Sequence, residues 1–236
     1  WKTLQAFGVT ASRFAGHSYG EVTALHAAGA LDAKQHLDVS RTRGELMAEA
    51  ASSPGAMSAA KAPSIQIQAS LDEWNSDVVI ANHNSPTQSV LSGPVKSIET
   101  VENRLAAEGV FTQRLNVATA FHSKVVASAV KPFSKRLEAV KTNSLSASVY
   151  ANSTAKTYTD ETLRDTLAGQ IAEPVRFVEM IQAMYDDGCR LFIEVGPRNT
   201  LGKLTGRILK RHKDMSIIST NRPGKSELFG FLDALA

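Results

Sequence analysis

Gly16-His17-Ser18-Tyr19-Gly20 follows the pattern G-x-S-x-G, and its neighbours decide what the pattern is. Arg13 to Gly16 reads as the end of a short strand, and Tyr19 to Ala28 as a helix closed by Gly29. A serine between a strand and a helix, flanked by glycines, reads as a nucleophile elbow. The turn is tight enough that side chains at the glycine positions are expected to collide. It exposes the hydroxyl at a helix N-terminus, where free N–H groups favour developing negative charge. The bland alternative is an ordinary glycine-rich turn.

Working outward, Asp32 with Gln35 three residues on predicts a capping box and a helix to about Ala51, which Pro54-Gly55 ends. The next stretch has another rhythm. It predicts a strand at Gly55–Ala59, a helical segment around Ile65–Trp74, and strands at Val78–Asn82 and Ser89–Ser92. A helix over Val95–Glu108, with Ile98, Val101 and Leu105 on one face, and a strand at Phe111–Leu115 complete it. That βαββαβ order is the ferredoxin-like arrangement. Residues 55–116 are therefore expected to form a subdomain inserted into a larger unit made of residues 1–54 and 117–236.

Beyond it, Val126, Val130, Phe133, Leu137 and Val140 predict one long amphipathic helix. A strand at Ser148–Ala151, a helix starting at Pro174 and a strand at Leu191–Val195 follow, and Gly196-Pro197 turns into a last helix. Alternating strands and helices predict an α/β fold with a mostly parallel sheet. A net charge of +3 is too small to imply nucleic acid. No apolar run is long enough to span a bilayer, and no signal peptide opens the sequence. Cys189, the single cysteine, excludes an internal disulfide and fits a reducing compartment, so a cytoplasmic location is expected.

A nucleophilic serine needs a base. His17 and His26 lie too close to Ser18 in sequence to fold back easily onto it. His36 and His212 sit in polar helical surroundings, and His83 ends a strand. His122, in the run Asn116–Ser123 where the insert returns to the main unit, is the candidate. Its alternative is a capping residue for the next helix. Arg43 shares a helix face with Val39, Leu46 and Ala50. An arginine among apolar neighbours should be paired, either in a structural salt bridge with a glutamate or as a fork for a substrate carboxylate.

Gly16–Glu21 around Ser18, Thr42–Met47 around Arg43-Gly44, Ala120-Phe121-His122-Ser123 and Glu194-Val195-Gly196-Pro197 occur in one order. That order resembles malonyl-CoA:acyl carrier protein transacylases and the acyltransferase domains of polyketide and polyunsaturated fatty acid synthases. Asn84-Ser85-Pro86 through Ser92-Gly93 resembles the family's subdomain hairpin, and the likeness spans essentially the whole sequence. It implies an α/β-hydrolase-like core with a ferredoxin-like insert. It also implies Ser18 as nucleophile, His122 as base and the Tyr19 N–H as half of an oxyanion hole. Gln170, in Gln170–Val175, matches the residue whose backbone carbonyl orients the histidine, so no acid need complete a triad. Arg43 would hold the free malonyl carboxylate, Phe121 would crowd branched acyl groups, and Asn84 and His17 join them as substrate-binding candidates.

The family normally begins with a strand and a G-Q-G loop that supplies the second oxyanion donor. This sequence opens at Trp1-Lys2-Thr3-Leu4, which reads as the middle of a helix, so that segment is expected to be missing from it. The expected reaction uses malonyl-CoA as substrate and an acyl carrier protein as acceptor, with no permanently bound cofactor or metal. Other synthase domains are expected partners, and nucleic acid and membrane are not. Two other readings stay open at this point. A serine hydrolase or thioesterase would share the elbow, but such chains carry their histidine near the C-terminus, whereas His122 lies mid-chain. A non-catalytic synthase module would keep the fold alone. Finally, Lys203, Arg207, Lys210 and Arg211 predict a basic face on a helix from Thr200 to Lys213, suited to an acidic carrier or simply to solvent.

Overall fold

A computed structural model describes residues 1–50, 54–117, 119–224 and 226–235. After a first helical stretch α1 (Lys2–Ala6), strand β1 (Arg13–Phe14) leads through the G-x-S-x-G turn into helix α2 (Gly20–Ala27). Gly29, at φ 88°, closes α2 in a conformation that costs glycine little. Helix α3 (Ala33–Ala50) begins as the sequence predicts. The Asp32 N–H donates to Gln35 Oε1 and the Gln35 N–H to Asp32 Oδ1, each at 2.8 Å, which satisfies two otherwise orphaned donors. The expected end of that helix at Ala51 lies outside the described residues.

The middle of the chain follows the predicted order. Strand β2 (Gly55–Ala60), helix α4 (Ser64–Glu73), strands β3 (Val79–Ser85) and β4 (Gln88–Pro94), helix α5 (Val95–Ala107) and strand β5 (Thr112–Arg114) succeed one another. The strands form one antiparallel sheet in the order β3-β4-β2-β5. Ile67 and Leu71 of α4 and Ile98, Val101 and Leu105 of α5 are buried with Leu91 in a single apolar cluster. Strand β3 slips register twice against β4, between Ile80 and Asn82 and between His83 and Ser85. Such irregularities re-aim side chains. Here they free the backbone at Ala81 and His83 to pair with Val175, at 2.8 and 2.9 Å.

The long helix expected over Val126–Val140 is instead a 3-10 turn, Lys124–Ala129, followed by α6 (Val130–Glu138). Pro132 explains the break. In a continuous helix from Lys124 its ring would strike a carbonyl four residues back, whereas in the first turn of α6 its missing N–H costs nothing. Strand β6 (Ser148–Val149) pairs in parallel with β1, Arg13 opposite Ser148 and Phe14 opposite Val149. Helix α7 (Leu163–Gly169), which the sequence reading omitted, comes next. Helix α8 (Phe177–Asp186) begins three residues after Pro174 rather than at it, because the Val175 backbone is committed to β3. Strand β7 (Leu191–Glu194) pairs in parallel with β8 (Ser216–Ser219), a strand also not foreseen. Between them α9 (Thr200–Ile208) stops well short of Lys213, and α10 (Glu227–Leu235) follows.

The result is a mixed α/β fold with parallel and antiparallel sheets. One apolar cluster joins α2, α3, α6 and α7, including Val22, Leu25, Val39, Phe133, Leu137 and Leu167. Another joins Tyr150, just after β6, with α8, β7 and α9. Among the described residues, no helix is long and apolar enough to cross a membrane.

Candidate active site

The elbow is strained at its centre. Ser18 has φ 52°, a left-handed conformation that costs a residue with a β-carbon about 1 kcal/mol or more. Only one of the two glycines is sterically required. A β-carbon on Gly16 would lie 1.9 Å from the Gly20 carbonyl oxygen, whereas one on Gly20 meets nothing within 4 Å. The expectation that both positions forbid a side chain is therefore corrected: Gly16 does, because α2 starts against it.

Asn152, wholly buried, braces the turn. Its Oδ1 accepts from the Ser18 N–H and its Nδ2 donates to the Gly16 carbonyl, both at 2.6 Å. With the Ser18 N–H engaged, the Tyr19 N–H is left with no acceptor among the described residues. The Tyr19 ring lies half exposed, its hydroxyl 3.0 Å from Ser40 Oγ. Asn152 is held in turn by Glu21, whose Oε1 accepts its N–H at 3.1 Å and also accepts from the Tyr158 hydroxyl. Burial pushes the Glu21 carboxyl up to about 7, against the opposing pull of those hydrogen bonds and the Arg43 charge. Sequence reasoning missed both residues. Glu21 had a faint signal, an acid in line with Leu25 on the buried side of α2; Asn152 had none.

His122 stands where the sequence placed it. Its Nε2 is 2.7 Å from Ser18 Oγ, and its Nδ1 faces the carbonyl oxygens of Gln170 at 3.0 Å and Glu173 at 2.9 Å. Two carbonyls can only accept, so Nδ1 carries the proton and Nε2 is left to receive one from the serine. Burial first, and the Arg43 charge second, lower the His122 pKa to about 4. The imidazole is thus neutral over the physiological range, as a base must be. The Glu173 carbonyl is a second support that the sequence did not reveal. Local packing makes the position possible. A β-carbon on Gly55 would sit 2.5 Å from the Ala120 nitrogen, so only glycine lets the 120–122 segment cross the start of β2. The cap for the following 3-10 turn is Ser123, whose Oγ accepts from the Val125 N–H at 3.2 Å, so His122 is spared that task.

Arg43 is 7% exposed and reaches the same place from α3. Its Nη2 donates to Gln170 Oε1 at 3.1 Å, and its Nε is buried with no partner. Among the described residues no carboxylate lies within ion-pair distance of it. The glutamate salt bridge that the sequence left open is not formed. On the other side, His17 Nε2 lies 2.7 Å from Asn84 Oδ1, and its ring packs 5.3 Å from Phe177. Phe121 is partly buried between two apolar clusters, its carbonyl accepting from Ser92 Oγ at 2.7 Å. The remaining histidines lie elsewhere: His83 against Glu179, His26 stacked on His36, and His212 on Tyr185.

A serine hydroxyl, a neutral imidazole and, among the described residues, a backbone donor without an acceptor and an arginine without an ion-pair partner suit attack on a carbonyl whose far end is anionic. The Polyketide biosynthesis malonyl CoA-acyl carrier protein transacylase PksC of Bacillus subtilis is 39% identical over 200 residues, 83% of this chain and 69% of that protein. The Polyketide biosynthesis protein PksE of the same organism is 34% identical over 90% of this chain, which spans only 28% of it. A solved structure of a type II PKS acyl-carrier protein in complex with its malonyl-transacylase matches with a TM-score of 0.90 and 29% identity, over 99% of this chain and 76% of the matched one. The model of the acyl transferase domain family matches residues 1–235. With that match over nearly its whole length, the chain belongs to the acyl transferase domain family.

Proposed function

We propose that this chain moves a malonyl group from coenzyme A to the phosphopantetheine thiol of an acyl carrier protein, through an ester on Ser18. The observation that carries the reading is the 2.7 Å contact between Ser18 Oγ and His122 Nε2 beside an arginine that has no carboxylate within ion-pair distance among the described residues. His122 takes the serine proton as Oγ attacks the thioester carbonyl. The developing oxyanion is met by the Tyr19 N–H, and the same imidazole returns the proton to the departing coenzyme A thiolate. In the second half-reaction the carrier thiol gives its proton to His122 and attacks the ester, and Ser18 leaves with that proton. Gln170 and Glu173 act through their carbonyls, which hold the ring in one tautomer. Each half-reaction passes the acyl group between sulfur and the Ser18 oxygen, so neither calls for a redox step, and the reading includes no permanently bound cofactor.

Arg43 is proposed as the carboxylate fork, Phe121 as the wall that disfavours an α-branched acyl group, and the His17–Asn84 pair as the opposite side of the acyl pocket. The same reading divides the chain into a ferredoxin-like subdomain at residues 55–116 and an α/β-hydrolase-like core from residues 1–54 and 117–236. The strand order β3-β4-β2-β5 supports the first, and the elbow between β1 and α2 the second. As part of a synthase the protein would act in the cytoplasm, alongside further synthase domains. Single-turnover acylation with labelled malonyl-CoA, followed by added carrier protein, tests the reaction. Label that persists in buffer and passes to the carrier is expected. Rapid loss to water would mark a hydrolase, and absence of label a non-catalytic module.

A further inference from the structure

Gln170 is wholly buried, and both ends of its side-chain amide are engaged. Oε1 accepts from Arg43 Nη2 at 3.1 Å, and Nε2 donates to the Ser18 carbonyl at 2.9 Å. A guanidinium only donates and a carbonyl only accepts, so the two partners force the amide's orientation from opposite sides. The backbone carbonyl of the same residue accepts from His122 Nδ1. One residue therefore touches the guanidinium, the nucleophile's backbone and the base.

The chemistry of an amide matters at this point. Arg43 comes from α3 on a long side chain that must be held in one geometry to act as a fork, and its Nη2 is held by Gln170. A glutamate at position 170 would hold the guanidinium more tightly, but would also satisfy its charge from within the protein. The neutral amide accepts one N–H and adds no countercharge of its own to the field of Glu21 that already acts on Arg43. Through its Nε2 it also ties the fork to Ser18, whose left-handed backbone depends on such external restraint.

We propose that the Gln170 side chain is a specificity-determining positioning residue, which holds Arg43 as a charged fork in register with Ser18 so that carboxylate-bearing acyl groups are preferred. This rests on the reading of Arg43 as the carboxylate partner, and it goes beyond the part played by the Gln170 backbone.

The test compares rates of acyl-enzyme formation from malonyl-CoA and acetyl-CoA in single turnover. The variants are Gln170→Met, Gln170→Glu and Arg43→Ala, with circular dichroism and thermal melting to establish folding. Both Gln170 variants keep the backbone carbonyl on His122 and a side chain of similar length. The malonyl-to-acetyl rate ratio is expected to fall about tenfold to a hundredfold in Gln170→Met, the range for one hydrogen bond to a charged group. It should fall at least as far in Gln170→Glu, where an internal ion pair occupies the fork. A merely structural role would lower both rates by a common factor. A wild-type ratio in either folded Gln170 variant, with a reduced ratio in Arg43→Ala, overturns the proposal and leaves the Arg43 reading standing. A wild-type ratio in Arg43→Ala overturns that reading as well.

Discussion

His122 is kept neutral by burial and by the Arg43 charge, two causes that act in the same direction. With a pKa of about 4, well below the ordinary 6.5, the imidazole is a competent base above that value and loses activity only as pH falls through it. Removing the Arg43 charge makes protonation easier, so the pKa rises and activity is lost at a higher pH. We expect kcat/KM for acetyl-CoA, whose acyl group carries no free carboxylate, to show an acid limb that moves upward in Arg43→Ala. An unmoved limb would mean that the arginine charge does not reach the base. At this scale the motif, the return of the insert and helix spacing single out Ser18, His122 and Arg43 as candidates, and the fold brings the three together. Asn152, Glu21 and the Glu173 carbonyl were not, because each acts across a large sequence separation, Asn152 meeting Ser18 from 134 residues away. Nothing local to an asparagine announces such a contact.

Among the elements, the elbow makes the sharpest claim. Its two glycines are equivalent in the motif but not in space, since only a β-carbon on Gly16 would overlap the Gly20 carbonyl. Gly20→Ala should change stability by less than about 1 kcal/mol, or raise it slightly, because alanine favours the first turn of α2. Gly16→Ala should prevent folding or abolish acylation. Thermal melting of the two variants side by side checks this, and equal effects would contradict the geometry. Elements with strong periodicity and caps were legible, as the 2.8 Å reciprocal pair at Asp32 and Gln35 illustrates. Boundaries set by proline were misread in two ways. Pro132 splits an apolar stripe that still reads as continuous, and Pro174 precedes a residue that β3 claims as a partner. Helix α7 and strand β8 were overlooked because each is short and is secured by its tertiary neighbours.

At the scale of the whole molecule, the site gathers Ser18 from the β1–α2 turn, Arg43 from α3, His122 from the segment leaving β5 and Gln170 from the end of α7. Sequence order revealed the pieces, and packing alone shows how they meet. The same scale holds the carrier-docking question. Lys203 and Arg207 lie on α9 and Lys210 and Arg211 in the turn beyond it, so the expected single helical face is interrupted, yet all four side chains are exposed. Charge reversal at Arg207 and Lys210 should slow discharge to carrier protein more than acylation by malonyl-CoA, and the more so at low salt. Equal slowing of both steps would remove the docking role. The covalent ester on Ser18 is tested by intact-mass analysis of the protein quenched after malonyl-CoA, followed by peptide mapping. One malonyl group per chain is expected on the peptide containing Ser18, and none in Ser18→Ala. Malonyl label accumulating in Ser18→Ala at the wild-type rate would contradict it.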